Sequence, residues 1–258
     1  MSGRSALPPV ARIGLPVAGV ATAIGLWWLS TIVLDIDPLF LPAPPDVVDA
    51  FVLEGGYLAE EAWSTLWATL AGFGIAAVGG LLAGMLLTSS RLLEQAAMPI
   101  IVAFNAIPKV SLVPLLILWM GYGAKPRITL IVLVAFFPIM VSTMSGLTST
   151  PTELTELTRS LDASRAQTYR KVRLPWALPQ VFVGLKVGMT LALIGAVVAE
   201  IQSPNAGLGS VILTTQQSAN TPLAFAAISI LAVFGIGLFY LVAAAERLAV
   251  PWARQITS

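Results

Sequence analysis

ITLIVLVAFFPIMVSTMSGL, residues 128–147, contains no charged side chain over 20 consecutive positions. A helix rises about 1.5 Å per residue, so this stretch reaches about 30 Å, the thickness of a bilayer's hydrocarbon core. Comparable stretches lie on both sides of it. Taking charge-poor runs as spans and Pro or Gly clusters as their ends gives six: 13–34, 63–88, 96–120, 128–147, 181–201 and 223–245. The first run follows Arg4 and Arg12; at this length it is expected to be a retained span rather than a cleaved signal peptide. The composition agrees with a polytopic membrane protein: 57% of the 258 residues are hydrophobic and 10% charged, against about a quarter charged in a soluble domain. With 14 basic and 13 acidic residues there is no basic field for nucleic acid. The absence of His and Cys excludes imidazole and thiolate metal sites, disulfides and His-based catalysis.

Basic residues set the expected orientation, because short cytoplasmic loops carry them in excess. With the N-terminus inside, eleven of the 14 fall on the cytoplasmic side: Arg4, Arg12, Arg91, Arg159, Arg165, Arg170, Lys171, Arg173, Lys186, Arg247 and Arg254. Lys125 and Arg127 fall outside as a local violation, and Lys109 falls within a span. Segment 35–61 holds seven acids and no base, so it is expected to be external. It opens with four prolines between positions 38 and 45, which exclude a helix interior. A short interfacial helix capped by Asp46 is expected after them, with Val47, Val48, Phe51 and Val52 at helical spacing.

Residues 148–180 form a loop with five bases and three acids, too long to be without structure of its own. Thr150, Pro151 and Glu153 read as a capping box opening a helix, with Leu154, Leu157 and Leu161 on one face. Asp162 suits a left-handed turn, and Ser164 with Gln167 offers a second box. The second helix carries Arg165, Tyr169, Arg170, Val172 and Arg173, with Leu174 and Pro175 as its expected stop. Such a knob between two spans is suited to docking, although charge alone also fits contact with anionic lipid.

Glu156, Leu157 and Thr158, then three residues to Asp162, then nine to Val172-Arg173-Leu174-Pro175, resemble the coupling-loop signature of ATP-binding-cassette importer permeases. That signature is Glu-Ala-Ala, three residues, Gly, nine residues, Ile, any residue, Leu, Pro. Both alanines are replaced, and Asp162 stands at the Gly. The runs LPAPPDVVDAF (41–51), NAIPKVSLVPLLILWMGYG (105–123), FFPIMVSTMSGL (136–147) and VVAEIQSPNAGLG (197–209) are likewise similar to the nitrate, sulfonate, taurine and thiamine-precursor group. The resemblance covers roughly residues 41–245. It implies an all-α permease in the inner membrane of a prokaryote, both termini cytoplasmic, paired with a second copy, two cytoplasmic ATPase subunits and an external substrate-binding protein. In that reading Glu153, Glu156, Leu157, Leu161, Asp162, Arg165, Tyr169, Arg170, Leu174 and Pro175 couple to the ATPase. ATP and Mg are bound by that partner, and this chain binds no cofactor, consistent with no lysine following a glycine as a phosphate-binding loop requires.

An amine within a span costs about 3 kcal/mol or more unless paired, wet or snorkelling, so Lys109 is read as functional. With Asn105 and Pro108, which like Pro114 is read as breaking the helix, it is expected to border the translocation pathway; the alternative is a structural pairing with Glu200. Glu200 is counted with them as a candidate for the pathway, where it faces the external opening; the alternative is that it snorkels into the interface. Gly207 and Gly209 with the polar run 214–218 suggest a short re-entrant or external helix near the mouth. Glycines such as Gly80 and Gly84 suit close helix packing, more often within one chain than between two. The function expected is import by alternating access; the alternative, an ion-coupled transporter, requires internal repeats that the sequence does not display.

Overall fold

The computed structural model describes residues 9–203 and 205–252. Arg4, Arg254 and Pro204 lie outside the described residues. The described residues are helical throughout apart from short connections. In chain order they form α1 (Pro9–Val33), α2 (Pro44–Leu53), α3 (Gly55–Leu87), α4 (Arg91–Ala106), a 3₁₀ turn (Lys109–Leu112), α5 (Val113–Met120), α6 (Ala124–Thr148) and α7 (Thr152–Ser160). There follow α8 (Arg165–Thr168), a π turn (Tyr169–Arg173), α9 (Leu174–Gln202), α10 (Leu208–Gln217) and α11 (Thr221–Ala249).

Among the described residues, four helical stretches are unbroken and long enough to cross a membrane: α3, α6, α11, and the stretch Arg165–Gln202 that includes α9. The expected third span is instead two segments, α4 and the 3₁₀–α5 unit, meeting at 76°. The break falls where the sequence placed it. Ile107, ahead of Pro108, is driven into extended backbone (φ −68°, ψ 127°), which ends α4. Pro114 makes no second break, because it sits in the first turn of α5 where no amide is missed. In the expected first span, the apolar helix is Val17–Val33. The count of six straight spans is therefore too simple: charge-free windows mark hydrocarbon crossings, but do not report bends.

The same limit applies to ends. The expected span 63–88 belongs to a helix that begins at Gly55, so Glu60 and Glu61 stand on its first turns rather than in a loop. The short helix after the prolines starts at Pro44, not Asp46. Asp46 is its third residue and accepts the Ala43 amide at 3.0 Å, the reverse half of a capping box.

The centre of the bundle is α6, which packs lengthwise between α3 and α9 around Ala68, Ala76, Ile131, Ala135, Ile139, Ala192 and Ala196. Lipid is as apolar as leucine, so close van der Waals approach rather than exclusion from water drives this association. The glycines supply that approach. A Cβ on Gly84 would lie 2.7 Å from Thr143 Cβ, one on Gly184 2.5 Å from Ser142 Cβ, and one on Gly188 2.7 Å from Ile139 Cγ1. The expected packing use of Gly80 and Gly84 is thus intramolecular, against α6. Thr69 and Thr143 return their hydroxyl protons to their own helices, at 2.8 Å on Thr65 O and 2.7 Å on Ile139 O.

At one end of the bundle α2, the start of α3, α10 and α11 share a second core around Leu58, Leu208, Val211 and Ala226. The polar run 214–218 and its glycine turn do form a short helix, α10. The helix α1 leans on this end, with Trp27 stacked on Phe225 at 5.8 Å between centroids, and is otherwise largely exposed.

Candidate functional site

The loop between α6 and α9 folds as two short helices around one turn. Its first capping box does not form: Pro151 rather than Thr150 is the cap residue, no side chain caps the helix, and Thr150 donates its hydroxyl to Leu147 O at 3.4 Å. The turn itself is fully specified. Asp162 takes φ +51°, its amide donates to Arg159 O (3.1 Å) and the Ala163 amide to Thr158 O (3.0 Å). These two bonds are a Schellman motif with Asp at the position glycine usually holds. Directly after it the second box closes in both directions: Ser164 Oγ accepts the Gln167 amide (3.2 Å) and Gln167 Oε1 accepts the Ser164 amide (2.8 Å). Thr168 donates to Thr158 Oγ1 at 3.3 Å and ties α8 to α7.

Leu174 and Pro175 do not stop the second helix. It continues through the π turn, in which the Leu174 amide reaches back five residues to Tyr169 O, into α9. The widened turn accommodates a proline that has no amide to give. The expected leucine face also divides. Leu157 and Leu161 are 56% and 72% exposed, while Leu154 borders a cavity beside Pro175 and Trp176. Glu153, Glu156, Asp162, Arg165 and Arg170 are exposed; Tyr169, Leu174 and Pro175 are half-buried.

At the other end of the bundle lies a buried polar hub. Glu200, in the last turn and a half of α9, is 1% exposed. Its Oε1 accepts from Arg127 Nη1 at 3.0 Å; its Oε2 accepts from Thr65 Oγ1 and from the Gly209 amide, each at 3.0 Å. Arg127 also donates to Ser64 Oγ (3.1 Å) and Ala206 O (3.3 Å). Thr65 Oγ1 accepts the Leu208 amide at 2.8 Å, and Glu61 accepts the Gly207 amide. The first amides of α10, which a glycine cap has no side chain to satisfy, are thus each received by an acceptor on α3 or α9. Glycine is required at 207: its φ is +103°, and a Cβ there would overlap the Glu200 carboxylate. Next to the hub a cavity of about 470 Å³ is lined by Arg127, Glu60, Glu61, Ser64, Trp63 and Trp67.

Glu200 therefore neither faces an opening nor snorkels, and it does not pair with Lys109. Arg127, read from sequence as an external violation of the charge rule, is its buried partner. Lys109 sits at the α4 break, where its ammonium donates to Asn105 O and Oδ1, both at 3.1 Å, and lies 5.2 Å from the Phe137 ring centroid. Asn105, Pro108 and Lys109 are thus brought together. Glu200 faces the hub, while Gln202 reaches the break through Val110 O at 3.4 Å. The hub residues missed from sequence, Glu61, Ser64 and Thr65, left one legible trace: spacings of three and four that place them on one face of α3. A second ion pair, Lys186 to Glu246 at 2.8 Å, links α9 to α11. No cluster of metal-binding side chains occurs among the described residues.

The described residues thus form a helical membrane bundle with a glycine-packed centre, a broken span and a projecting helix pair. Residues 76–251 match the family model described as binding-protein-dependent transport system inner membrane component. The chain belongs to that family, and it is a multi-pass inner-membrane permease subunit of an ATP-binding-cassette importer. It is 37% identical to the riboflavin transport system permease protein RibX of Chloroflexus aurantiacus, over 93% of this chain and 90% of that protein. Identity to the formylaminopyrimidine transport permease protein ThiX of Halalkalibacterium halodurans is 33%, over 89% of this chain and 92% of that protein. The inward-facing MetNI methionine ABC transporter shares the fold, with TM-score 0.65 and 22% identity over 74% of this chain and 95% of that one.

Proposed function

We propose that two copies of this chain enclose a path for a small organic solute, which an external binding protein delivers and two cytoplasmic ATPase subunits drive through by alternating access. The observation that carries this reading is the helix pair 152–168: a Schellman turn and a closed capping box hold Leu157 and Leu161 out from the bundle, beside Glu156. Ordering a turn so that leucines face water costs free energy unless something covers them, and an apolar cleft on a partner does so. Both termini and this loop lie on the cytoplasmic side in this reading, in accord with the basic residues. ATP and Mg bind on the ATPase.

Glu153, Glu156, Leu157, Leu161, Asp162, Arg165, Tyr169, Arg170, Leu174 and Pro175 form the coupling element, and the unbroken run into α9 makes it a lever on that span. Asn105, Pro108 and Lys109 border the path at the α4 break, where non-helical backbone is tolerable because it faces protein or water. Glu200 acts behind the path by holding α9 against α3 and α6. Riboflavin and formylaminopyrimidine, in the names of the relatives, make nitrogen heterocycles the first ligands to test.

The test is uptake into vesicles carrying the permease with and without its ATPase, using a binding protein loaded with each heterocycle. Uptake is expected to require the ATPase and to be lost in Leu157→Glu. Uptake on an ion gradient alone, unchanged by Leu157→Glu, overturns the reading.

A further inference from the structure

The side of the loop turned back toward α3 is chemically unlike the side bearing Leu157 and Leu161. There a cavity of about 1070 Å³ opens between the end of α3 and the two short helices, lined among others by Leu86, Thr88, Arg159, Arg165, Tyr169 and Arg173. The three arginines come from α7, α8 and the π turn, so the fold gathers them from separate elements. The acids of the loop, Glu153, Glu156 and Asp162, do not line the cavity. Among the described residues the ion pairs are Arg127–Glu200 and Lys186–Glu246, and none of the three guanidiniums donates a hydrogen bond to protein. Each guanidinium carries five N–H donors in a rigid fork suited to phosphate. The hydroxyls of Thr88, Thr158 and Thr168 donate to protein oxygens, so the guanidiniums are the free donors facing the cavity.

Three unpaired positive charges around one concavity concentrate an attractive potential for anions. The wall contributed by Met85 and Leu86 is the last apolar turn of a membrane-spanning helix, which places the cavity at the level of lipid headgroups.

We propose that the cavity between the end of α3 and Arg159, Arg165 and Arg173 binds a phosphate-bearing anion, supplied by an anionic lipid headgroup or by free phosphate. The site shares Arg165 and Tyr169 with the coupling element but lies on the opposite side of the loop from Leu157 and Leu161, and it requires of the function proposed above only that the loop lies at a membrane face. Arg165, which the motif resemblance assigns to coupling, lines this site. Its occupant bridges α7, α8 and the π turn, so the lipid or phosphate supply adjusts how rigidly the lever is held.

The full chain in nanodiscs is compared with Arg159→Gln/Arg165→Gln/Arg173→Gln, with the Lys triple at the same positions, and with Arg247→Gln, which removes one charge elsewhere. In one arm the discs hold phosphatidylcholine with about 20% phosphatidylglycerol, an anionic fraction chosen to supply the charge these arginines attract, and retained lipid is counted by native mass spectrometry. In the other the discs are pure phosphatidylcholine and inorganic phosphate is titrated by calorimetry. Retention of phosphatidylglycerol by wild type and by Arg247→Gln, with a loss in the Gln triple of about tenfold for each guanidinium removed from the cavity, is expected for the lipid source. Phosphate binding in neutral discs with the same loss assigns the free anion. The Lys triple keeps the charge without the fork and is expected to fall between, which separates anion recognition from misfolding. The proposal is overturned if the Gln triple binds both probes as wild type does, if wild type binds neither, or if the Gln triple loses ATPase docking alone.

Discussion

Removing the guanidinium from the buried hub tests whether Arg127 and Glu200 act as one unit. Glu200's side chain is 0% exposed and has no water to turn to, while Arg127's is 11% exposed, at the edge of the neighbouring cavity. In Arg127→Met the carboxylate keeps two neutral donors, Thr65 Oγ1 and the Gly209 amide, and loses its cation. Breaking a buried pair from one side costs about 3–5 kcal/mol, chiefly because the surviving charge stays buried. Membrane proteins fall at the low end of such values, since the unfolded chain in lipid finds other partners, so about 3 kcal/mol is expected. Glu200→Gln keeps a carbonyl oxygen for Thr65 and Gly209, and Arg127 keeps Ser64 and Ala206, giving about 1–2 kcal/mol for the loss of a charged hydrogen bond. In the double variant neither charge is stranded. Its cost is expected to fall below the sum of the single costs by about 2 kcal/mol or more. Reversible unfolding of the purified chain in mixed micelles, followed by tryptophan fluorescence, measures all four corners of the cycle. Additivity to within about 0.5 kcal/mol would refute the reasoning.

Three further outcomes follow from the packing and the turns. Gly84→Leu sets a side chain against Thr143 Cβ, already 2.7 Å from where a Cβ would begin, and is expected to destabilise the bundle by about 1–3 kcal/mol in the same unfolding measurement. Asp162→Gly, which fits φ +51°, is expected to leave amide exchange across 155–170 within about threefold of wild type, whereas Asp162→Val, a β-branched residue forced to positive φ, is expected to raise it at least tenfold. Lys109→Met leaves assembly intact and is expected to lower vesicle uptake about tenfold, the equivalent of about 1.4 kcal/mol; normal uptake removes Lys109 from the pathway.

The helix pair at 152–168 shows how far local chemistry reaches. Asp162 and the Ser164–Gln167 box act within a few residues, and both are legible as spacing. The box at Thr150 failed because Pro151 itself serves as the cap residue and Thr150 turns back to Leu147, an arrangement that local spacing does not reveal. Pro175 was misread for a similar reason: a proline after a helical run ends it only if the backbone cannot widen, and a π turn supplies that width.

Residues 128–147 fixed the class of the protein without help, because hydrocarbon cannot hydrogen-bond the backbone and 20 uncharged residues have one economical solution there. Composition, span positions, the Pro108 break and the Asp162 turn are likewise local consequences of residue type. The partner of Glu200 is not, and only the tertiary structure decided it. Arg127 is 73 residues away in sequence and Thr65 is 135, and nothing in either neighbourhood names the other. Pairing in a low-dielectric interior depends on which helices lie side by side, and α6 lies between α3 and α9 because glycines on both of them admit it. The same packing turned Lys109 toward Asn105 and Phe137 and drew three arginines of one loop around a single cavity.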